Sequence, residues 1–150
     1  MTSLGTVQDK WTCPECGRRF ARANQHHVYD RTSVEDHLLR KPQHVIELYQ
    51  YFVALVEACR PFDYAPIRRQ IGFQGRSRIF AAVRLTSKGL EGYLDLARRI
   101  DRVPFKQVAK FSKRPFVHHF EIVLVDEMDE EFAGWVRESY SVGEGLPDFG

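Results

Sequence analysis

The chain has 150 residues, of which 43% are hydrophobic, and a formal net charge of +2, so it can bury one sizeable core and has little room for a second. Its apolar runs fall short of the ~18 to 20 residues that a membrane-spanning helix needs, so we expect no contact with a membrane. The first residues lack the basic start and apolar stretch of a secretory signal, and we expect a reducing cytoplasm as the compartment.

The first predicted element is a metal knuckle, within a leader and knuckle segment at residues 1–30. Cys13 and Cys16 are two residues apart, the spacing at which one tight turn presents two thiolates to a zinc ion. His27 follows after ten intervening residues, with His26 beside it. The expected cofactor is therefore a structural zinc ion, and the alternative is a knuckle that no longer holds metal. Candidates for the remaining ligand are His26, Asp30, His37 and a water molecule.

Three helices are predicted in the remaining domain, residues 31–150. A short helix at 34–40 has Ser33 as its N-cap. Apolar residues at three- and four-residue steps predict a long amphipathic helix at 42–59. Asp129 can cap a final helix at about 130–140, whose acidic first turn suits the helix dipole.

The middle of the chain predicts a sheet. Runs of β-forming residues between turns indicate four strands, at 71–73, 77–85, 90–96 and 116–125. The basic stretch 98–114 contains Pro104 and is predicted to be a loop with one helical turn. This order of elements predicts an α+β fold: a two-layer sandwich of a four-stranded, mainly antiparallel sheet with helices on one face.

Alternation along the last two strands predicts which side chains face the helices. We expect His118 to lie in the core and His119 to lie on the opposite face with Glu121, near Tyr93. A histidine beside a carboxylate is a possible acid–base pair. Because no nucleophile elbow, phosphate loop or second carboxylate accompanies it, catalysis is the weaker interpretation and no catalytic residue is assigned.

Charge is segregated along the chain. Residues 60–120 hold fourteen Lys and Arg against four Asp and Glu, whereas residues 121–150 hold one against nine. This asymmetry indicates either a basic face for an anionic partner or internal pairing between a basic sheet and an acidic C-terminal helix. Arginine side chains at strand ends and turns, including Arg68 and Arg69, could converge on one anion. The candidate residues for an anion or nucleic acid are Arg18, Arg19, Arg22, Arg76, Arg78, Lys113 and Arg114.

Several segments resemble a known family. They are the helix PQHVIELYQYFVALVEAC, the strand pattern IGFQGRSRIFAAVRL, the segment GLEGYLDLARRID and the ending RPFVHHFEIVLVDEMDEEFAGWVRESY. From about Val34 to Ser141 the chain resembles the bacterial domain of unknown function 5655 family. The preceding WTCPECGRRFARANQHH looks like the small metal knuckle found before that domain, although Tyr29 stands where related knuckles have a cysteine. The resemblance implies an architecture and no established activity.

Three hypotheses for function follow. The first is a binding protein whose basic surface contacts an acidic partner, with nucleic acid as the leading candidate. The second is a protein–protein interaction module that uses the exposed sheet face or the knuckle. The third, and weakest, is an enzyme or small-ligand binder built around Arg76, Arg78, Arg114 and His119.

Overall fold

The computed structural model describes residues 11–12, 19–20, 32–110 and 115–145. Two short strands, β1 (Trp11–Thr12) and β2 (Arg19–Phe20), form an antiparallel pair near the N-terminus. The main domain then contains the following elements: α1 (Val34–Leu38), α2 (Gln43–Glu57), β3 (Asp63–Ile67), β4 (Gln70–Gln74), β5 (Ile79–Leu85), β6 (Leu90–Leu96), β7 (Phe105–Lys110), β8 (Phe116–Ile122), a 3-10 turn (Val125–Glu127) and α3 (Glu130–Glu144).

The main sheet has six strands in the order β3-β4-β5-β6-β8-β7, and all neighbours are antiparallel. The α+β class and the antiparallel arrangement are confirmed, whereas the predicted number of four strands is wrong. Both additional strands lie at the sheet edges. β3 contains Pro66, and β7 occupies part of the stretch 98–114 that the sequence predicted to be a loop.

Helix positions agree with the sequence. The Ser33 side chain caps α1, accepting a hydrogen bond from the Asp36 backbone N–H at 3.2 Å, while the Asp36 carboxylate accepts from the Ser33 N–H at 2.9 Å. The Asp129 carboxylate accepts from the Phe132 N–H at 3.0 Å and so begins α3. No helix in the described part of the chain has both the length and the apolar character needed to cross a lipid bilayer.

The core lies between one face of the sheet and the helices α2 and α3. Phe52 of α2 and Phe132 of α3 are fully buried, and their ring centroids are 6.2 Å apart. Both rings also contact Phe120 of β8, with centroid distances of 5.9 and 5.6 Å. The apolar sides of the two helices therefore pack on the apolar face of the sheet in a single layer, which is the arrangement that a two-layer sandwich requires.

The opposite face of the sheet, turned away from α2 and α3, is called the open face below. Strand alternation places Tyr93 of β6 and His119 of β8 on it, because Leu90, Leu94 and Leu96 are fully buried on the helix side. The predicted division of residues between the two faces of β6 and β8 is thus confirmed. Helix α1 lies at one end of this face, where β4 begins.

Candidate functional site

A depression of about 780 Å³ lies on the open face. One row of paired residues crosses it: Ala82, Tyr93, His119 and Gln107 stand side by side on β5, β6, β8 and β7. At about 4.8 Å between strands, the row spans roughly 14 Å. The Ala82 side chain is small and buried, so this part of the row is low and the rings of Tyr93 and His119 rise beside it.

Cationic side chains form one wall of the depression. Arg68 and Arg69 come from the turn between β3 and β4, and Lys41 comes from the link between α1 and α2. Neither Lys41 nor Arg69 makes an ion pair with any residue that the structure describes. The charges of Lys41 and Arg69 are therefore not neutralised by the described part of the fold. We call Lys41, Arg68 and Arg69 together the cationic wall.

His37 fixes the position of this wall. Its Nε2 atom donates a hydrogen bond to the carbonyl oxygen of Ile67 at 2.6 Å, and the side chain is buried. The bond ties α1 to the end of β3, directly before Arg68 and Arg69. His37, a candidate zinc ligand in the sequence, thus uses one ring nitrogen to join α1 to the sheet.

Two ion pairs lie beside the central row. Arg84 of β5 pairs with Glu91 of β6, and Lys106 of β7 pairs with Glu121 of β8 with an Nζ–Oε1 distance of 3.1 Å. These four charges sum to zero. Among the described residues, the positive charge in the depression that has no ion-pair partner is therefore that of Lys41 and Arg69.

Tyr93 and His119 form the aromatic part of the site. Their ring centroids are 6.1 Å apart, with an angle of 60° between the ring planes. Burial lowers the pKa of His119 below its ordinary value, and the positive charge of Lys106 lowers it further. The imidazole is consequently mostly uncharged at pH 7. Both rings are half-buried, so part of each is accessible from the depression.

His118 has a structural role, as the sequence predicted. It is fully buried against the ring of Phe105, with centroids 4.9 Å apart. Its Nε2 accepts a hydrogen bond from the Ile100 N–H at 2.9 Å, and its Nδ1–H donates to the Phe116 carbonyl at 3.0 Å. Burial lowers its pKa, which keeps the ring neutral and both hydrogen bonds intact.

The candidate arginines of the sheet lie at opposite ends of it. Arg68 and Arg69 precede β4, whereas Arg76 and Arg78 follow it, at a distance of about 17 Å for a five-residue strand. Arg78 pairs with the buried carboxylate of Asp95 at 3.7 Å. Arg76 and Arg78 therefore do not line the depression, although His119 does.

Part of the charge segregation is internal pairing. The Arg98 guanidinium donates two hydrogen bonds to the Glu138 carboxylate of α3, at 2.7 and 3.0 Å, and Arg102 pairs with Glu131 at 2.8 Å. The acidic helix thus contacts the basic loop that precedes β7. Internal pairing therefore accounts for Arg98 and Arg102, whereas the cationic wall lies away from α3.

The predicted knuckle falls largely outside the described residues, and so do several candidate cations: Cys13, Cys16, Arg18, Arg22, His26, His27, Lys113 and Arg114. Of Arg19, the structure gives the backbone in β2. Trp11 pairs with Phe20, and Thr12 pairs with Arg19, so the backbone on either side of the Cys-x-x-Cys segment comes together. Within residues 32–110 and 115–145, no three His, Cys, Asp or Glu residues are grouped to hold a metal ion.

Comparison with known proteins identifies the family of the main domain. A family model described as Domain of unknown function (DUF5655) matches residues 34–143, which is most of the chain. The chain belongs to this family. No curated protein and no solved structure matches it.

Every described residue that lines the depression lies within the DUF5655 match. Its matched range begins at the first residue of α1 and ends in the last turn of α3, so it contains the cationic wall, Tyr93 and His119. The β1–β2 pair lies before the matched range. The described lining of the depression is therefore part of the DUF5655 domain.

Proposed function

We propose that this protein binds an acidic partner, with nucleic acid as the first candidate, in the depression on the open face. The observation that carries the proposal is the cationic wall: Lys41, Arg68 and Arg69 lie together, and neither Lys41 nor Arg69 has an ion pair among the described residues. A cluster of cations beside a depression attracts anions, and the attraction is strongest where the surface is concave.

The chemistry of the wall favours phosphate. Arginine presents a planar fork of N–H donors that matches two oxygens of a phosphate group, and lysine supplies a point charge beside it. The rest of the depression is electrically balanced, because Arg84 pairs with Glu91 and Lys106 pairs with Glu121. A partner with phosphates at one end and uncharged groups at the other fits this distribution of charge.

Neutralising the wall tests this proposal. We expect the double variant Lys41→Gln, Arg69→Gln to bind a mixed-sequence 12-nucleotide oligonucleotide and inorganic polyphosphate about tenfold more weakly at low salt, and to reduce the slope of log affinity against log salt by about one per residue removed. Fluorescence anisotropy measures both quantities.

The matched control is Arg137→Gln, which removes an exposed cation from α3 on the other side of the molecule. It should leave both affinities within twofold of the wild type. Binding that is insensitive to salt, or an equal loss in the control variant, would contradict the proposal.

The zinc knuckle is a second proposal, on the spacing of Cys13 and Cys16. The antiparallel pairing of Trp11 with Phe20 supports it, because a hairpin would hold the Cys-x-x-Cys turn at its tip. Cys13, Cys16 and His27 would hold the ion, with His26, Asp30, His37 or a water molecule as the fourth ligand. Metal analysis should find about one zinc per chain in the wild type and a marked loss in Cys13→Ser. A metal-free wild type purified without chelator would refute it.

An apolar surface favours protein recognition as the alternative function. Val123, Leu124 and Val125, which follow β8, are exposed by 45, 64 and 39%, and Val103 in the loop before β7 is exposed by 86%. Pairing of Phe105 with Phe120 puts both segments at the same end of the sheet. Exposed apolar residues of this kind are typical of protein contacts. Binding of a protein that is insensitive to salt and is lost in Leu124→Asp would favour this alternative. For either function, the cytoplasm stays the expected compartment.

A further inference from the structure

We infer that the depression accepts an unpaired nucleobase, so that the acidic partner is a single-stranded nucleic acid whose base stacks on the Tyr93 and His119 rings. This inference rests on the proposed function and specifies the class of the partner. It follows from two features that a site for phosphate alone does not need: the paired rings and the low surface beside them.

The first feature is the position of the rings relative to the cations. Tyr93 and His119 lie on β6 and β8, whereas Arg68 and Arg69 lie at the start of β4, two to three strands away. At about 4.8 Å per strand, the separation is about 10 to 14 Å. The strands that carry the rings are thus separated from the strand that carries the arginines, and a ligand that spans both would offer the rings a different part from the one it offers the wall.

The second feature is the low surface next to the rings. Ala82, which pairs with Tyr93, lines the depression there, so the sheet carries only a methyl group on the strand beside the Tyr93 ring. A flat group that enters the depression above Ala82 would meet the ring of Tyr93 from the side. Open sheet faces that carry aromatic rings stack unpaired bases in this manner, and stacking tolerates any base because each has a π-face.

The absence of net charge at the two rings is consistent with a nucleobase as the ligand. At pH 7 the imidazole of His119 is mostly uncharged, and the nearest cation on this side, Lys106, is held by Glu121. The ring end of the depression thus presents neutral, half-buried surface, whereas the wall presents charge. Bases in a duplex are stacked on their neighbours and hide these faces, so a double strand could reach the wall and not the rings.

Substitutions at Tyr93 separate stacking from charge. Tyr93→Leu keeps apolar bulk and removes the ring, and Tyr93→Phe is the matched control because it keeps the ring. We expect Tyr93→Leu to weaken binding of a 12-nucleotide single strand by about 5- to 100-fold and Tyr93→Phe by less than threefold. Neither variant should change the affinity for inorganic polyphosphate by more than twofold. His119→Ala should show the same selective loss, which keeps the test available if Tyr93→Leu does not fold.

The outcomes distinguish this inference from the proposed function. If wall variants weaken both probes and ring variants weaken neither, or both equally, the depression binds anions without stacking and the inference is overturned. A blunt-ended duplex that binds as tightly as the single strand would also overturn it. If neither probe binds the wild type, the proposed function fails and the inference fails with it.

Discussion

Replacing Phe132 with alanine is expected to lower the free energy of unfolding by about 3 to 5 kcal/mol. The Phe132 ring is fully buried in α3 and packs against Phe52, Phe120 and Trp135, at centroid distances of 6.2, 5.6 and 6.3 Å. Truncation leaves a cavity between both helices and the sheet, which cannot collapse without moving several rings. Because small domains are stable by about 5 to 15 kcal/mol, this loss is a large fraction of the total.

Urea denaturation followed by circular dichroism measures the effect. Phe132→Leu keeps more of the buried volume and should therefore lower the free energy of unfolding by less than Phe132→Ala does. Tyr51→Ala, at an exposed position of α2, should change stability by about 0.5 kcal/mol at most. A loss below about 1 kcal/mol for Phe132→Ala would show that the two helices do not share one core with the sheet.

Alanine at Gly143 and alanine at Gly134 are expected to have opposite effects, although both glycines lie in α3. A Cβ at Gly143 would lie 2.4 Å from Cδ1 of Phe80, a buried ring that cannot move away. The Gly143 carbonyl also accepts hydrogen bonds from the Ser77 and Arg78 N–H groups, at 2.7 and 3.2 Å. Gly143→Ala should therefore destabilise the protein by about 1 to 3 kcal/mol, because it pushes the end of α3 off the β4–β5 turn.

A Cβ at Gly134 meets nothing nearer than the flexible end of Arg137, at 3.6 Å. Alanine there should stabilise the helix by about 0.5 to 1 kcal/mol, since glycine loses more backbone entropy on folding. Thermal unfolding of the two variants beside the wild type gives both signs in one experiment. Two shifts in the same direction would be inconsistent with the position of α3 against Phe80.

The sequence predicted the elements whose pattern is set by the core. Helix α2 has its apolar residues on one side because that side packs on the sheet, and β6 alternates because one of its faces is buried. Caps were predictable for the same reason, as Ser33 and Asp129 satisfy backbone N–H groups within a few residues. In each case the interactions that decide the structure are local or follow one period.

Both strands that the sequence missed are edge strands. A strand at an edge buries less of its surface and is protected from aggregation by charge or proline, so its apolar signal is weak. Pro66 in β3 and the two lysines at positions 106 and 110 of β7 have this effect. The features that kept these two strands from being recognised in the sequence are therefore the features that an exposed edge requires.

The site was predictable only in part. His119 and the pair Arg68 and Arg69 were recognised as candidates, and Tyr93 was placed near His119, because strand faces and turns follow from local patterns. Lys41 was missed, since it joins Arg69 only through the docking of α1 on β3 by His37. Lys106 was missed because it belongs to β7. Contacts between residues far apart in the chain cannot be predicted from composition or from the spacing of apolar residues. A basic residue in a binding site also has the same sequence pattern as a basic residue on a solvated surface.

The most direct test of the central claim, that the open face is the binding surface, is a titration of isotope-labelled protein with a single-stranded oligonucleotide, followed residue by residue by nuclear magnetic resonance. We expect the largest shifts of backbone amide signals at Ala82, Tyr93, His119 and Arg69, while the signals of Gly134 and Arg137 on α3 change little. Shifts concentrated on α3 or around Leu124, with the signals of the open face unchanged, would contradict it.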